Sequence, residues 1–151
     1  MFVTEIIPGL WIADCDIVKS HYFNSRNIES FIYCCGYENI NPDKTTHHII
    51  HIPDIIQNSD TYIQIQNNNT QKKFHKCMAK WAPILNINQS QMKNTVVYSK
   101  YGIQKAATLV AAYLLKRCNL NYQSVIKIMQ TKAPLLFKNP CKDEHILLYK
   151  N

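Results

Sequence analysis

The segment over residues 96–114 restricts the fold of this chain more than any other part of the sequence. Residues 96–98, Val-Val-Tyr, are typical of a buried β-strand, and the Ala- and Leu-rich stretch from Lys105 to Arg117 predicts an α-helix. Residues 99–105 connect the two as a loop. A strand, a loop and a helix in this order aim backbone N–H groups and the positive end of the helix at one point, which is the physics of an oxyanion or phosphate site.

Four further short apolar runs predict β-strands. Glu5-Ile6-Ile7 and Leu10-Trp11-Ile12 flank Pro8-Gly9, whose backbone preferences favour a turn between them. The other two runs are residues 31–35 and residues 49–52. Because these runs alternate with helical patterns, the sequence predicts an α/β fold with a central, mostly parallel sheet flanked by helices on both sides.

Capping residues and apolar spacing predict the other helices. Asp14 and Asp16 can cap a short helix that runs toward Phe23, and Asn121 can cap a helix that stops before Pro134. A longer helix between the last two strands is predicted to start at a Thr70 cap and to be kinked or shortened at Pro83. A final helix is predicted from residue 139 onward.

The composition indicates one compact domain over residues 1–151. Hydrophobic residues make up 46% of the chain and charged residues 18%, which is enough apolar surface for a single core. The formal net charge is +7 and comes mainly from lysine, since Arg26 and Arg117 are the only arginines. A basic balance attracts phosphoproteins, nucleic acid or anionic lipid, but without a dense Lys/Arg run it selects none of them.

The cysteines and the apolar runs bear on the cellular location. The six cysteines stand mostly inside apolar stretches without paired C-x-x-C spacing, and they predict buried free thiols in a reducing compartment. No apolar run approaches the length needed to cross a bilayer, and the N-terminus lacks a secretion signal, so we expect a cytoplasmic protein without a membrane partner. The excess of lysine and asparagine hints at a viral or parasite genome, and a viral protein would be found in the host cytoplasm or the virion.

The histidine cluster at His47, His48 and His51 is a weak candidate for a metal site. On a strand at most two of the three side chains would share a face, and no fourth ligand is evident. Ordinary strand residues are therefore favoured, and the sequence predicts neither a metal nor another cofactor.

The strand-loop-helix segment resembles the signature of the cysteine-based protein tyrosine phosphatases, in particular that of the dual-specificity protein phosphatase family. This signature reads His-Cys-x-x-Gly-x-x-Arg-Ser and continues into a helix that ends in Ala-Tyr-Leu. The same frame holds here, with Tyr98, Ser99, Gly102, Lys105 and Ala106 at the His, Cys, Gly, Arg and Ser positions. The resemblance implies a phosphate-binding loop formed by Ser99, Lys100, Tyr101, Gly102, Ile103, Gln104 and Lys105.

The resemblance extends over nearly the whole chain. Residues 7–12, Ile-Pro-Gly-Leu-Trp-Ile, are similar to the opening motif of the family, and residues 133–139 and 147–150 are similar to its closing segment. The chain looks like one dual-specificity phosphatase-like domain, and it resembles the inactive members of the phosphoserine/threonine/tyrosine-interacting type.

The resemblance also implies that two chemical groups are missing. A phosphatase of this type attacks phosphorus with a thiolate whose pKa is lowered from about 8.5, and Ser99 cannot supply one. The family's arginine grips two phosphate oxygens as a planar fork, whereas Lys105 offers only a point charge on a flexible stem. A Cys-to-Ser change is a common way to make a substrate trap, but Tyr98, Lys105 and Ala106 are further departures in the same loop and favour a native serine.

The general acid of the family is an Asp about thirty residues before the nucleophile, where it protonates the leaving oxygen. Counting back from Ser99 reaches the polar tract at residues 66–69, which contains no acid. Asp54 and Asp60 stand earlier, after the strand predicted at residues 49–52, and either is a candidate for this role.

Three hypotheses for the function follow. The first is a catalytically inactive pseudophosphatase that binds a phosphorylated protein, or a kinase or phosphatase partner, with phosphate or sulfate fitting the loop. The second is a phosphatase with residual or engineered-away activity on phosphotyrosine, phosphoserine or phosphothreonine. The third is a structural or scaffolding protein whose vestigial pocket is plugged by Tyr101 or Tyr98, with the positive charge serving adhesion to nucleic acid or an acidic protein.

Overall fold

The computed structural model describes residues 1–35, 47–51, 68–100 and 105–137. The strands in these ranges are β1 (Val3–Ile7), β2 (Leu10–Asp14), β3 (Ile28–Cys35), β4 (His47–His51) and β5 (Asn94–Ser99). The helices are α1 (Cys15–Lys19), α2 (Asn68–Ser90), α3 (Lys105–Arg117) and α4 (Tyr122–Lys132). The strands form one sheet in the order β1-β2-β5-β3-β4.

Most of the strand pairs in this sheet are parallel. β5 pairs in parallel with β2 on one side and with β3 on the other, and β3 pairs in parallel with β4. Only the β1–β2 hairpin is antiparallel among the described strands. The mostly parallel sheet predicted from the sequence is confirmed, and the carboxyl ends of β2, β5, β3 and β4 lie along one edge, where ligands bind in open α/β sheets.

The predicted turn at Pro8 and Gly9 closes the hairpin. Gly9 has a φ of +83°, a conformation that residues with side chains rarely adopt. Its carbonyl oxygen accepts a 2.8 Å hydrogen bond from the N–H of Thr95, and a Cβ at Gly9 would lie 3.4 Å from the carbonyl oxygen of Lys93. The glycine therefore allows the hairpin to lie close to the start of β5.

Alternating side chains along the strands pack against helices on both faces of the sheet. On one face the strand side chains join the core of α2, α3 and α4; they include Leu10, Ile12, Ile32, Cys34 and Val97. On the other face they pack with Ile17 of α1 and with Phe23; they include Ala13, Tyr33, Val96 and Tyr98. The predicted arrangement of a sheet with helices on both sides is therefore confirmed.

Helix α3 lies at the centre of the larger core. It contacts β5, β3 and β2, and its buried residues are Ala106, Ala107 and 109–115. Several of these are alanines, whose small side chains let a helix approach a sheet closely. The bounds predicted for this helix, Lys105 and Arg117, are confirmed.

Helix α2 differs from its prediction in where it begins and in its length. It begins at Asn68, so Thr70 lies inside the helix and does not cap it. It also continues past Pro83 to Ser90. Pro83 lacks the N–H that would donate to the carbonyl of Ala79, but both residues are exposed, so water can hydrate that carbonyl and the helix tolerates the proline.

Of the two cap candidates for α1, Asp14 caps the helix and Asp16 lies inside it, while the predicted Asn121 cap of α4 is confirmed. The Asp14 side chain accepts a hydrogen bond from the N–H of Ile17, and the Asn121 side chain accepts one from the N–H of Ser124, each at 2.8 Å. Helix α4 ends at Lys132, ahead of Pro134 as predicted, whereas the helix expected from residue 139 lies outside the described residues.

A buried amide joins α2 to the sheet at the edge opposite the carboxyl ends. Asn88 donates hydrogen bonds to the hydroxyl oxygens of Ser30 in β3, at 3.0 Å, and Thr95 in β5, at 2.9 Å. All three residues are buried, so each bond satisfies groups that would be costly to leave unpaired. This joint fixes the C-terminal half of α2 over the sheet.

Aromatic rings form the core on the α1 face. The ring of Tyr98 packs against those of Phe31 and Tyr33, with centroids 6.4 and 4.9 Å away. Tyr98 is 8% exposed, and burial raises its pKa to about 12, because a phenolate would lose its hydration there. This face of the sheet is therefore sealed by uncharged rings.

Replacing Asp14 with Ala should lower the free energy of unfolding by about 2 kcal/mol, because it removes the cap of α1 and a second acceptor that binds the N–H of Phe2 at 2.6 Å. Urea unfolding of Asp14→Ala measures the loss. Asp16→Ala is the matched control: it removes an exposed carboxylate from the same helix and should cost under about 0.5 kcal/mol. Equal effects of the two changes would contradict the described role of Asp14.

Alkaline conditions should destabilise the wild type more steeply than Tyr98→Phe. Between about pH 10 and pH 12 the unfolded chain releases the Tyr98 proton while the folded chain retains it, so ionisation favours unfolding as the pH rises. The wild type should lose about 1 kcal/mol more than Tyr98→Phe between pH 9 and pH 11. Urea unfolding at the two pH values measures this difference, and parallel losses in both proteins would show that the phenol ionises normally.

Candidate functional site

The candidate site lies at the carboxyl edge of the sheet, where β5 ends at Ser99. Ser99 is 4% exposed, and its partner in the neighbouring strand is Asp14, the last residue of β2. On the other side of β5, Tyr98 pairs with Tyr33, so Cys34 continues β3 beside Ser99. Three polar or titratable residues from three adjacent strands thus meet at this edge.

The start of α3 is directed at Ser99. The Ser99 hydroxyl oxygen lies 3.4 Å from the backbone nitrogen of Ala106 and accepts its hydrogen bond. The first N–H groups of a helix have no partner inside the helix, and together they carry a partial positive charge. No acidic residue occupies the first turn of α3, so this end of the helix is suited to bind an anion.

Two lysines flank the part of the loop that lies between β5 and α3. Lys100 is exposed and follows Ser99 directly, while Lys105 is half-buried and is the first residue of α3. The predicted loop residues Tyr101, Gly102, Ile103 and Gln104 lie outside the described residues. Of the seven residues predicted to bind phosphate, the structure therefore brings Ser99, Lys100 and Lys105 to the helix end.

The carboxylate of Asp14 is engaged in holding the backbone. One oxygen accepts from the N–H of Ile17 at 2.8 Å, and the other accepts from the N–H of Phe2 at 2.6 Å. These two hydrogen bonds hold the carboxylate to the backbone of Phe2, just before β1, and of Ile17 in α1. Sequence reasoning identified Asp14 as a cap but did not place it opposite Ser99, because only the β2–β5 register does so.

None of the described thiols is placed to act as the nucleophile at this edge of the sheet. Cys34 is 1% exposed and belongs to the core under α3, as predicted for the cysteines. Cys118 is exposed, contrary to the prediction of buried thiols, because it follows the far end of α3, roughly 20 Å from the start of that helix at 1.5 Å per residue. Burial raises the pKa of the Cys15 thiol, although a hydrogen bond with Tyr33 and the nearby Lys19 act in the opposite direction. A nucleophilic cysteine requires a lowered pKa, so Cys15 is unsuited to that role.

The side chain of Tyr98 does not plug the pocket, contrary to one of the expectations above. Successive residues of a strand point to opposite faces, and Tyr98 packs with Phe31 and Tyr33 on the α1 face. Ser99 instead bonds to α3 on the other face. The second residue suggested as a plug, Tyr101, lies outside the described residues, as do the candidate acids Asp54 and Asp60.

In the described part of the chain no three His, Cys, Asp or Glu side chains are grouped closely enough to hold a metal ion. His47, His48 and His51 lie in β4, but their side chains are outside that part. None of the helices described above has both the length and the apolar character required to cross a membrane.

Known structures share this fold. The human tyrosine phosphatase-like serine/threonine/tyrosine-interacting protein is 16% identical with a TM-score of 0.71, over 98% of this chain and 95% of that chain. A leucine rich repeat and phosphatase domain containing protein from Entamoeba histolytica is 15% identical with a TM-score of 0.69, over 98% and 90% of the two chains. Human DUSP28 is 13% identical with a TM-score of 0.69, over 98% and 92%.

Sequence comparison identifies the family. No curated protein sequence gives a significant match. The family model described as "Dual specificity phosphatase, catalytic domain" matches residues 32–151, from the middle of β3 to the last residue. Because this match covers most of the sequence and includes the β5-loop-α3 segment, the chain belongs to the dual-specificity phosphatase family.

Proposed function

We propose that this chain is a catalytically inactive member of its family, a pseudophosphatase that binds a phosphorylated protein without hydrolysing it. The observation that carries the proposal is the pairing of Ser99 with α3. A serine stands at the position of the family's cysteine nucleophile, at the end of β5, and its hydroxyl accepts a hydrogen bond from the first turn of the helix.

The chemistry of Ser99 supports the loss of catalysis. A serine hydroxyl stays protonated near neutral pH and attacks phosphorus only with the help of a general base. Asp14 is the titratable residue paired with Ser99 in the sheet, and both of its carboxylate oxygens accept backbone N–H groups. The raised pKa of the Cys15 thiol argues against a substitute thiolate at the same edge.

The properties of Lys105 favour binding of a phosphate group but not stabilisation of the transition state of its hydrolysis. Its ammonium group can attract a phosphate as a point charge, but it cannot grip two equatorial oxygens in the planar geometry that an arginine provides. Lys100 adds a second positive charge, and α3 adds its partial charge and N–H groups. These groups favour a phosphate dianion in its ground state, which is what a binding protein requires.

The name of one structural relative agrees with this role. The human protein with a TM-score of 0.71 is called a tyrosine phosphatase-like serine/threonine/tyrosine-interacting protein. Its 16% identity shows a shared fold only, so the name motivates the proposal and the residues of this chain carry it. Because Cys15, Cys34 and Cys118 are free thiols, we place the binding in the reducing cytoplasm, which for a viral protein is that of the host.

The wild type should not hydrolyse p-nitrophenyl phosphate, and Ser99→Ala should not differ from it. Ser99→Cys/Lys105→Arg should gain turnover at least about tenfold above Ser99→Cys alone, because a bidentate arginine adds roughly 1.5 kcal/mol or more to the bound transition state. This aryl phosphate has a good leaving group, so the assay does not depend on a general acid. Wild-type turnover that disappears in Ser99→Ala would refute the loss of catalysis.

Phosphotyrosine or phosphothreonine peptides should bind at least about tenfold more tightly than the matched unphosphorylated peptide, as measured by fluorescence anisotropy. Lys105→Ala should remove most of this preference. The matched control is Lys116→Ala, which removes the same charge from the exposed far end of α3 and should preserve it. Equal affinity for both peptides would show that the site no longer binds phosphate.

A further inference from the structure

The acidic residues of this chain are segregated along the sequence. All ten acids lie within residues 1–60 or at Asp143 and Glu144, and none lies within residues 61–142. At the average frequency of the chain, about five acids would be expected in that stretch. The same stretch contains 13 of the 17 lysines and arginines, so no acidic residue within the stretch balances their positive charge.

The fold places this acid-free stretch in one layer. Helices α2, α3 and α4 all belong to residues 61–142, and all pack on the same face of the sheet. The opposite face carries α1 with Asp16, and exposed Glu5 and Glu29 belong to β1 and β3. Because α3 is mostly buried, the outer surface of this layer, here called the helical face, is formed chiefly by α2 and α4.

The cations of the helical face are directed to solvent. The exposed ones in the described residues are Lys72, Lys76, Lys80, Lys93, Lys116, Arg117, Lys127 and Lys132. Lys93 forms an ion pair with Glu29 at 3.5 Å, and the other seven have no carboxylate partner within the described ranges. Ordinary protein surfaces intersperse both signs of charge, so seven exposed cations that lack a carboxylate partner among the described residues give this face a strong positive potential.

On α2 the lysines form a regular stripe. Lys72, Lys76 and Lys80 are spaced by four residues, so they lie on one side of the helix, about 6 Å apart along its axis. Double-stranded DNA carries one negative charge per about 1.7 Å of its axis, so several phosphates face a stripe of this length. Gln123 and Lys127 repeat the spacing on the exposed side of α4 and add an amide donor and a further charge.

We propose that the helical face binds the phosphate backbone of nucleic acid without sequence preference. Lysines act as point charges toward phosphates and carry no base-specific geometry, so affinity and not sequence selection is expected. The inference is independent of the proposed function, because it uses the outer sides of α2 and α4 and none of the loop residues.

A nucleic acid fits this surface better than an anionic membrane does. Peripheral membrane helices place large apolar side chains next to their cations so that both enter the interface. Among the described side chains between the lysines of the α2 stripe, the exposed one is Ala79, and the exposed large side chains that the structure describes on this face, Ile87, Met92, Ile128 and Leu135, lie outside the stripe. The stripe is therefore suited to a polyanion in water.

The test is a titration of a short fluorescent DNA duplex with the full chain between about 50 and 200 mM salt. The wild type should bind, with log K falling linearly with log salt concentration. Lys72→Gln/Lys76→Gln/Lys80→Gln should weaken binding by about tenfold or more at low salt and should flatten the slope by about 2 to 3. Failure of the wild type to bind at about 50 mM salt, or an unchanged slope in the triple variant, would overturn the proposal.

A matched pair of single variants tests whether binding depends on the helical face or only on the net charge of the chain. Lys76→Gln and Lys19→Gln each remove one exposed helical lysine, the first from the helical face and the second from α1. Lys76→Gln should bind the duplex about threefold or more weakly, and Lys19→Gln should bind like the wild type. Equal losses would show that only net charge matters, which would overturn the proposal.

Tighter binding to phosphatidylserine vesicles than to the duplex would also overturn the proposal, in favour of a lipid surface.

Discussion

The packing of α3 on the centre of the sheet is the constraint on which the rest of the structure depends. Its alanines and leucines are buried against β5, β3 and β2, so the axis of the helix is fixed relative to the end of β5. That orientation brings the N–H of Ala106 to the Ser99 hydroxyl and leaves the positive helix end at the carboxyl edge of the sheet. The same burial leaves α2 and α4 to form the outer surface of the helical layer.

At this edge of the sheet, binding an anion and hydrolysing a phosphate ester require different chemical groups. Anion binding requires N–H groups, a helix end and positive charge, all of which survive when single side chains change. Reaction requires a thiolate of lowered pKa and a forked cation, each of which depends on one side chain. The proposed function rests on this difference, because Ser99 and Lys105 would lack the reacting groups while the helix end and the lysine charge would still attract an anion.

Much of the fold could be predicted from the sequence, because each strand and helix carries its own local pattern. The strand before Ser99, the bounds of α3 and the Asn121 cap depend on neighbouring residues alone, and the structure has them as predicted. Thr70 is not the cap and Pro83 does not shorten its helix, because the helix bounds there depend on packing and hydration along α2. Tyr98 failed as a plug, since its direction follows from the pleat of β5 within the sheet.

The sequence by itself determined the elements, the family's loop pattern and the identities of Ser99 and Lys105, since these are written in local order and spacing. Only the tertiary structure decided what lies beside them. The register of β2 on β5 places Asp14 opposite Ser99, and backbone hydrogen bonds occupy its carboxylate. The stacking of three helices on one face likewise converts an acid-free stretch of sequence into a single positive surface, because residues distant along the chain become neighbours only when the core is buried.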